Sequence, residues 1–131
     1  MSEKVLVVGG AGYIGSVMVS MLLEERYEVA VFDSLERGHR KAVDPRAAFY
    51  LGDLNDRERI REVCREFGPE SAMHFSAYAL VGESMEHPSR YFRNNFAAGI
   101  NLLDALVEVK AGRIVFSSTC ATFGEPESLP I

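Results

Sequence analysis

The chain has no tryptophan, only two cysteines, and no apolar run near the roughly 18 residues that a membrane-crossing helix needs. Cys64 and Cys120 show no metal-ligand spacing, so neither a disulfide framework nor a metal site is expected. Positive charge is also scarce. Fourteen Lys and Arg against 19 Asp and Glu leave a net charge of −5 with no basic stripe, which argues against nucleic acid as a partner. A small anion held by backbone N–H groups stays open. A first strand that starts by Lys4 leaves no room for a signal peptide, and the expected setting is soluble, reducing and cytoplasmic, with no membrane partner. What the chain does have is an ordinary globular composition, 47% hydrophobic and 25% charged over 131 residues. That makes one domain, able to bury about two thirds of its unfolded surface.

Short apolar runs at residues 5–8, 29–32, 47–51, 72–75 and 114–117 read as strands buried on both faces, the pattern of a parallel sheet covered by helices. Helical periodicity fills the gaps. Ile14, Val17, Met18, Met21 and Leu22 form one apolar stripe, and Ile60, Val63, Cys64 and Phe67 form another after a polar start at Asn55 and Asp56. A longer helix is expected from Pro88, with Phe92, Phe96, Gly99, Leu103 and Leu106 along one face and Gly112 as its stop. The alternation predicts an α/β fold: a Rossmann-like, doubly wound parallel sheet of about five strands, one domain over residues 1–131, with ligands at the carboxyl ends of the strands. The sixth strand of a full dinucleotide fold has no counterpart, and residues 125–131 read as loop, so the domain is expected to be incomplete.

The first strand runs straight into Gly9, Gly12 and Gly15, which open an apolar helix. This is how a chain makes a phosphate cradle: a sharp turn, a close approach to pyrophosphate, and a helix N-terminus facing the anion. Asp33 ends the second strand, where a carboxylate can accept hydrogen bonds from both ribose hydroxyls of an adenosine and repel a 2′-phosphate, favouring NAD over NADP. Arg37, His39 and Arg40 follow and could meet a phosphate, although a solvated loop is the plainer reading. Asp53 could accept from an adenine amino group while Leu54 packs on the ring, or Asp53 could simply cap the next helix. Small residues after His74 permit close backbone approach, and His74 itself reads more readily as a buried, satisfied histidine than as a catalyst. Ser117, Ser118, Thr119, Cys120 and Thr122 cluster where substrate hydroxyls and nicotinamide would meet, or form a polar loop that satisfies its own backbone. Cys64 belongs to the core.

Together, Gly9-Gly10-Ala11-Gly12-Tyr13-Ile14-Gly15-Ser16, residues 33–40, Gly52-Asp53-Leu54, His74-Phe75-Ser76-Ala77 with Val81-Gly82-Glu83-Ser84, Asn94-Asn95, and Phe116-Ser117-Ser118-Thr119 resemble the extended short-chain dehydrogenase/reductase family, within it the UDP-glucose (UDP-galactose) 4-epimerase branch. The resemblance covers essentially the whole chain, in order. It implies NAD as cofactor, contacted by Gly9, Gly12, Tyr13, Ile14, Gly15, Asp33, Asp53, Leu54, Phe75, Ser76, Ala77, Asn94 and Ser117. It implies a nucleotide-sugar substrate, a UDP-hexose, whose 4-OH would meet the catalytic hydroxyl of Thr119. The implied reaction removes the 4-OH proton with a tyrosinate as hydride leaves C4, then returns hydride to the other face of the rotated 4-keto sugar. Relatives are commonly homodimers, with the helix from Pro88 to Val107 among those that would pair.

The departures are specific. Val8 replaces a threonine, Ala98-Gly99 stand where Gly-Thr is frequent, and Ala79 stands where some epimerases place a cofactor-contacting lysine. The family's base lies in Tyr-x-x-x-Lys, whereas Tyr13, Tyr27, Tyr50, Tyr78 and Tyr91 are followed at that spacing by Val17, Val31, Leu54, Gly82 and Asn95. In relatives that motif and a C-terminal substrate lobe come later, so the expectation is an NAD-binding portion, inactive alone. One rival is a non-catalytic NAD-binding module or half of a split enzyme. A nucleotide-sugar 4,6-dehydratase is disfavoured, because Cys120-Ala121 stand where that chemistry needs an Asp-Glu acid and base. An epimerase for a uronic acid or an N-acetylated sugar stays open.

Overall fold

A computed structural model describes residues 2–119 together with Thr122, Gly124, Glu125 and Ser128. Its strands are β1 (Lys4–Val8), β2 (Glu28–Asp33), β3 (Ala48–Leu51), β4 (Ser71–His74) and β5 (Arg113–Phe116), each bounded within about one residue of its predicted run. They form one parallel sheet in the order β3-β2-β1-β4-β5. The chain runs outward from β1 to β3, then begins again on the other side of β1 with β4. Its connections therefore part between β1 and β4, which opens a crevice at the carboxyl ends of those strands. Val8 pairs with Phe32 on one side and with His74 on the other, and Phe32 and His74 pair in turn with Tyr50 and Phe116. The strands thus end level, and the residues that follow them emerge in one row.

Strand residues alternate between two layers. Leu6, Val8, Ala30, Phe32 and Ala72 face α2 (Arg57–Phe67) and α5 (Ala98–Glu108), while Val5, Val7, Val29 and Val31 face α1 (Tyr13–Glu24). Asp56 caps α2, its Oδ1 accepting from the Arg59 N–H at 3.0 Å, and the stripe Ile60, Val63, Cys64, Phe67 is buried as predicted. Burial of this size is worth about 1.5–3 kcal/mol per large side chain. It also pushes the Cys64 thiol up to about 11, so the sulfur is a core group rather than a nucleophile.

Four expectations need correcting. On α1 the buried residues are Gly15, Val19 and Leu22, whereas Ile14, Val17 and Met21 are exposed. Among the described residues α1 is the only helix in its layer's buried cluster, so nothing covers its second flank. The long helix is not uniform: α3 (Val81–Glu86) precedes α4 (Pro88–Tyr91), a π-helical segment (Phe92–Ala97), and α5. The wider π turn shifts the phase of the 3.6-residue pattern. Ala98, Leu102, Ala105 and Leu106 are buried, while Phe92 and Phe96 stand 71% and 67% exposed. Next, α5 ends at Glu108, and the left-handed residue that turns the chain after it is Lys110, with φ 60° and an Ala111 N–H bond to the Leu106 carbonyl at 2.9 Å; Gly112 lies beyond and donates to the Glu70 carbonyl. All four residues of β5 are exposed, unlike the two-sided burial predicted for it. No helix among the described residues is long and apolar enough to cross a membrane.

Candidate functional site

The next row holds Asp33, the last residue of β2, with Gly9, Phe75 and Ser117 just beyond β1, β4 and β5. The Gly9 N–H donates to the Phe32 carbonyl (2.9 Å), Phe75 N–H to Val8 (2.8 Å) and Ser117 N–H to His74 (3.1 Å), which extends the ladder one step past each strand. Gly9 turns at φ +81°, and a Cβ there would stand 2.8 Å from the backbone of Phe75 and Ser76. Only glycine lets the loop after β1 touch the loop after β4. Gly12 then caps α1 with no side-chain hydrogen bond and no acid in the first turn, so the first N–H groups of α1 meet no side-chain acceptor of that turn. Such a terminus attracts an anion.

Asp33 builds the cradle. Its Oδ2 accepts from the Ala11 N–H at 2.9 Å and its Oδ1 from the Leu35 N–H at 2.8 Å, so the carboxylate ties the glycine loop to the end of β2. Each oxygen keeps a lone pair for a further donor, such as a diol. The His39 N–H braces the same loop by donating to Ala11 at 2.9 Å. A cleft of about 260 Å³ lies over these groups. Gly9, Gly12, Tyr13 and Asp33 line it, with Asp53 and Leu54 after β3, Phe75, Ser76 and Ala77 after β4, and Asn94.

Asp53 does not cap α2, since Asp56 does; its Oδ1 accepts instead from the backbone and side-chain nitrogens of Asn55, both at 2.8 Å. Leu54 is 5% exposed, its side chain half core and half cleft wall. Three residues of the sequence-based set do not line the cleft. The Ile14 side chain is exposed, Gly15 is buried under the glycine loop, and Ser117 is one strand further along the row. Thr119 lies just beyond Ser117 and Ser118, its carbonyl accepting from the Thr122 N–H at 3.2 Å. Cys120 and Ala121, which bear on the dehydratase alternative, lie outside the described residues.

Several groups escaped the sequence reading. Tyr78 and Glu36 also border the cleft, beside Arg37, which the sequence offered as a group that could meet a phosphate. Asn95 holds Tyr78 from both ends, accepting from its N–H at 2.8 Å and donating to its carbonyl at 2.9 Å. Asn94 and Asn95 sit in the π segment, which turns two consecutive amides toward the site and which no 3.6-residue periodicity could have revealed.

His74 is 4% exposed, with its ring edge-on to Phe116 and its Nδ1 accepting from the Ser76 N–H at 3.1 Å. It positions the 75–77 turn and requires an unprotonated Nδ1. Burial pushes its pKa below the ordinary imidazole value. The unfolded chain therefore binds more protons than the folded one, and stability present above about pH 6.5 is lost as pH falls below it. Between about pH 7.5 and 5.5 the wild-type melting temperature should drop further than that of His74→Leu. Equal drops would refute this linkage.

Comparison with known proteins agrees with this architecture. A model of the "NAD dependent epimerase/dehydratase family" matches residues 5–131. UDP-glucose 4-epimerases from Streptococcus mutans and Lactobacillus helveticus are 54% and 48% identical over 97% and 98% of this chain, which spans 39% of the length of each. The crystal structure of UDP-glucose 4-epimerase from Brucella ovis in complex with NAD superposes with a TM-score of 0.90 at 43% identity, covering 99% of this chain and 40% of that one. The glycine cradle, the acid at the end of β2 and the level strand ends thus have a common origin: this chain belongs to the NAD dependent epimerase/dehydratase family.

Proposed function

We propose that these residues form the NAD-binding portion of a UDP-glucose 4-epimerase, which interconverts UDP-galactose and UDP-glucose through a 4-keto sugar. One observation carries the reading: the level strand ends bring the cradle of Gly9 and Gly12, the carboxylate of Asp33 and the Phe75–Ala77 turn around one cleft. The backbone N–H groups of α1 would hold the pyrophosphate, Asp33 the adenosine ribose, Asp53 and Leu54 the adenine, and Asn94 and Ser117 the remainder of the dinucleotide. The bound cofactor would supply reversible hydride acceptance. Thr119 would hold the sugar's 4-OH. A cytoplasmic, reducing setting belongs to the same proposal, supported by the free, buried thiol of Cys64.

Calorimetric titration tests the site. Asp33→Ala should weaken NAD binding at least about tenfold, since hydrogen bonds to a charged group are worth about 1.5–3 kcal/mol, and it should narrow the gap between NAD and NADP. Damage to the loop alone would weaken both nucleotides equally. Unchanged affinities for both would remove Asp33 from the site.

A second reading is a non-catalytic NAD-binding module or half of a split enzyme; within these 131 residues no tyrosine has lysine four positions on. Homodimer formation is also proposed, on the exposed stripe of Phe92, Phe96, Ile100, Leu103 and Val107. Phe96→Glu should shift the chain toward monomer in sedimentation at micromolar concentration. A wild-type chain already monomeric there would exclude that face as the interface.

A further inference from the structure

Arg37 is the one cation lining the cleft among the described residues, yet its charge is engaged elsewhere. Its Nη2 donates to Glu83 Oε2 at 2.6 Å, and its guanidinium lies 4.6 Å from the centre of the Tyr78 ring. Glu83 stands on α3, outside the cleft lining, and accepts as well from the Tyr91 hydroxyl (2.7 Å) and from Arg90 (2.6 Å). Glu36, on the same loop as Arg37, accepts from Arg90 and the Tyr78 hydroxyl, both at 2.6 Å. Arg90 stacks on the Tyr78 ring at 4.7 Å. Two guanidiniums and two carboxylates therefore close on one another around a single aromatic ring, and the group has no net charge.

We propose that Glu83 is a specificity-determining residue of the nucleotide site: by holding Arg37 it withholds from a 2′-phosphate the one cation of the cleft lining, and so favours NAD over NADP. The inference rests on the NAD-site reading above. An arginine beside the ribose is the group that accommodates a 2′-phosphate through charge-assisted bonds, and here one guanidinium nitrogen, Nη2, is already bonded to a carboxylate. Arg37 lies four positions after Asp33, the residue proposed to bind the ribose. If Arg37 were free, its attraction would offset the repulsion that Asp33 exerts on the phosphate. Arg37 also holds the Glu83 carboxyl below the ordinary carboxylate range, so both partners carry full charge at neutral pH.

The test is the ratio of NAD to NADP affinity, measured by calorimetry on the full chain. Glu83→Gln keeps the side-chain volume and an acceptor for Tyr91 but leaves one positive charge unmatched. It should shift the ratio about tenfold toward NADP while changing NAD affinity by less than about threefold. Arg37→Gln alone should leave the wild-type ratio within about twofold, because the guanidinium is already withheld. The double variant Arg37→Gln/Glu83→Gln should return to the wild-type ratio. A ratio unmoved in Glu83→Gln, or a shift that survives in the double variant, would overturn the proposal while leaving the NAD site standing. Absence of NAD binding by the wild-type chain would overturn both.

Discussion

Given NAD and UDP-galactose, the 131-residue chain is expected to bind the cofactor and to form no detectable UDP-glucose. The reaction proposed for the intact enzyme needs a group that takes the proton from the sugar's 4-OH, and a positioned base contributes about 10²- to 10⁴-fold. Asp33, His74 and Tyr78, in or near the cleft, are each committed elsewhere. Asp33 holds the Ala11 and Leu35 N–H groups, and His74 is buried with Nδ1 on Ser76. Tyr78 is pushed above the ordinary phenol value by burial and by its bond to Glu36, the opposite of what a tyrosinate base requires. The Thr119 hydroxyl can orient a sugar hydroxyl but is too weak a base to take its proton at neutral pH. Turnover within the ordinary enzyme range of roughly 1–10³ s⁻¹ would show that one of these groups serves after all. Activity that returns when the C-terminal part of a relative is supplied in trans would favour the portion of an epimerase over the non-catalytic module.

The strands were legible because Val5–Val8 and Val29–Phe32 are valine-rich apolar runs too short for helices and closed by Gly9 and Asp33. Their ends in turn placed most of the cleft, since each loop after a parallel strand opens on the same edge. The buried face of α5 was not legible. Half of it is Ala98 and Ala105, small residues that admit α2 closely and give little hydrophobic signal, whereas Phe92 and Phe96 give a strong one and stand exposed. Periodicity finds apolar stripes but does not say whether the partner lies in the same chain. The charged cluster was invisible for another reason. Glu83 and Arg37 are 46 residues apart, and neither has any local pattern that names the other. In the sequence Glu83 carries a family resemblance through its Val-Gly-Glu-Ser segment, and its physical role emerges only once the fold brings Arg37 beside it.

Gly15→Ala is expected to abolish NAD binding and to lower stability together, although Gly15 does not line the cleft. A Cβ at this position would stand 2.2 Å from the Gly9 carbonyl oxygen and 2.8 Å from the Gly10 Cα, both of them backbone atoms that no side-chain rotation can move. Either α1 must withdraw or the loop must shift. Withdrawal separates Val19 and Leu22 from the sheet, and overpacking of this kind costs about 1–3 kcal/mol or more. A shifted loop breaks the bonds that hold it, the Gly12 N–H to Gly9 at 3.2 Å and the Gly9 N–H to Phe32 at 2.9 Å, and re-aims the N–H groups proposed to receive the pyrophosphate. Positioning errors of about 1 Å suffice to disable such a site. NAD affinity should fall by more than about 100-fold and the melting temperature by several degrees. Gly82→Ala provides the control. Gly82 lies within α3, where an added Cβ would meet nothing inside 4 Å among the described residues, so the change should be neutral or stabilising by up to about 1 kcal/mol and leave NAD affinity intact. Normal NAD binding by Gly15→Ala would mean that α1 can move away from the loop without disturbing it, and the third glycine of the motif would then have no part in the cradle.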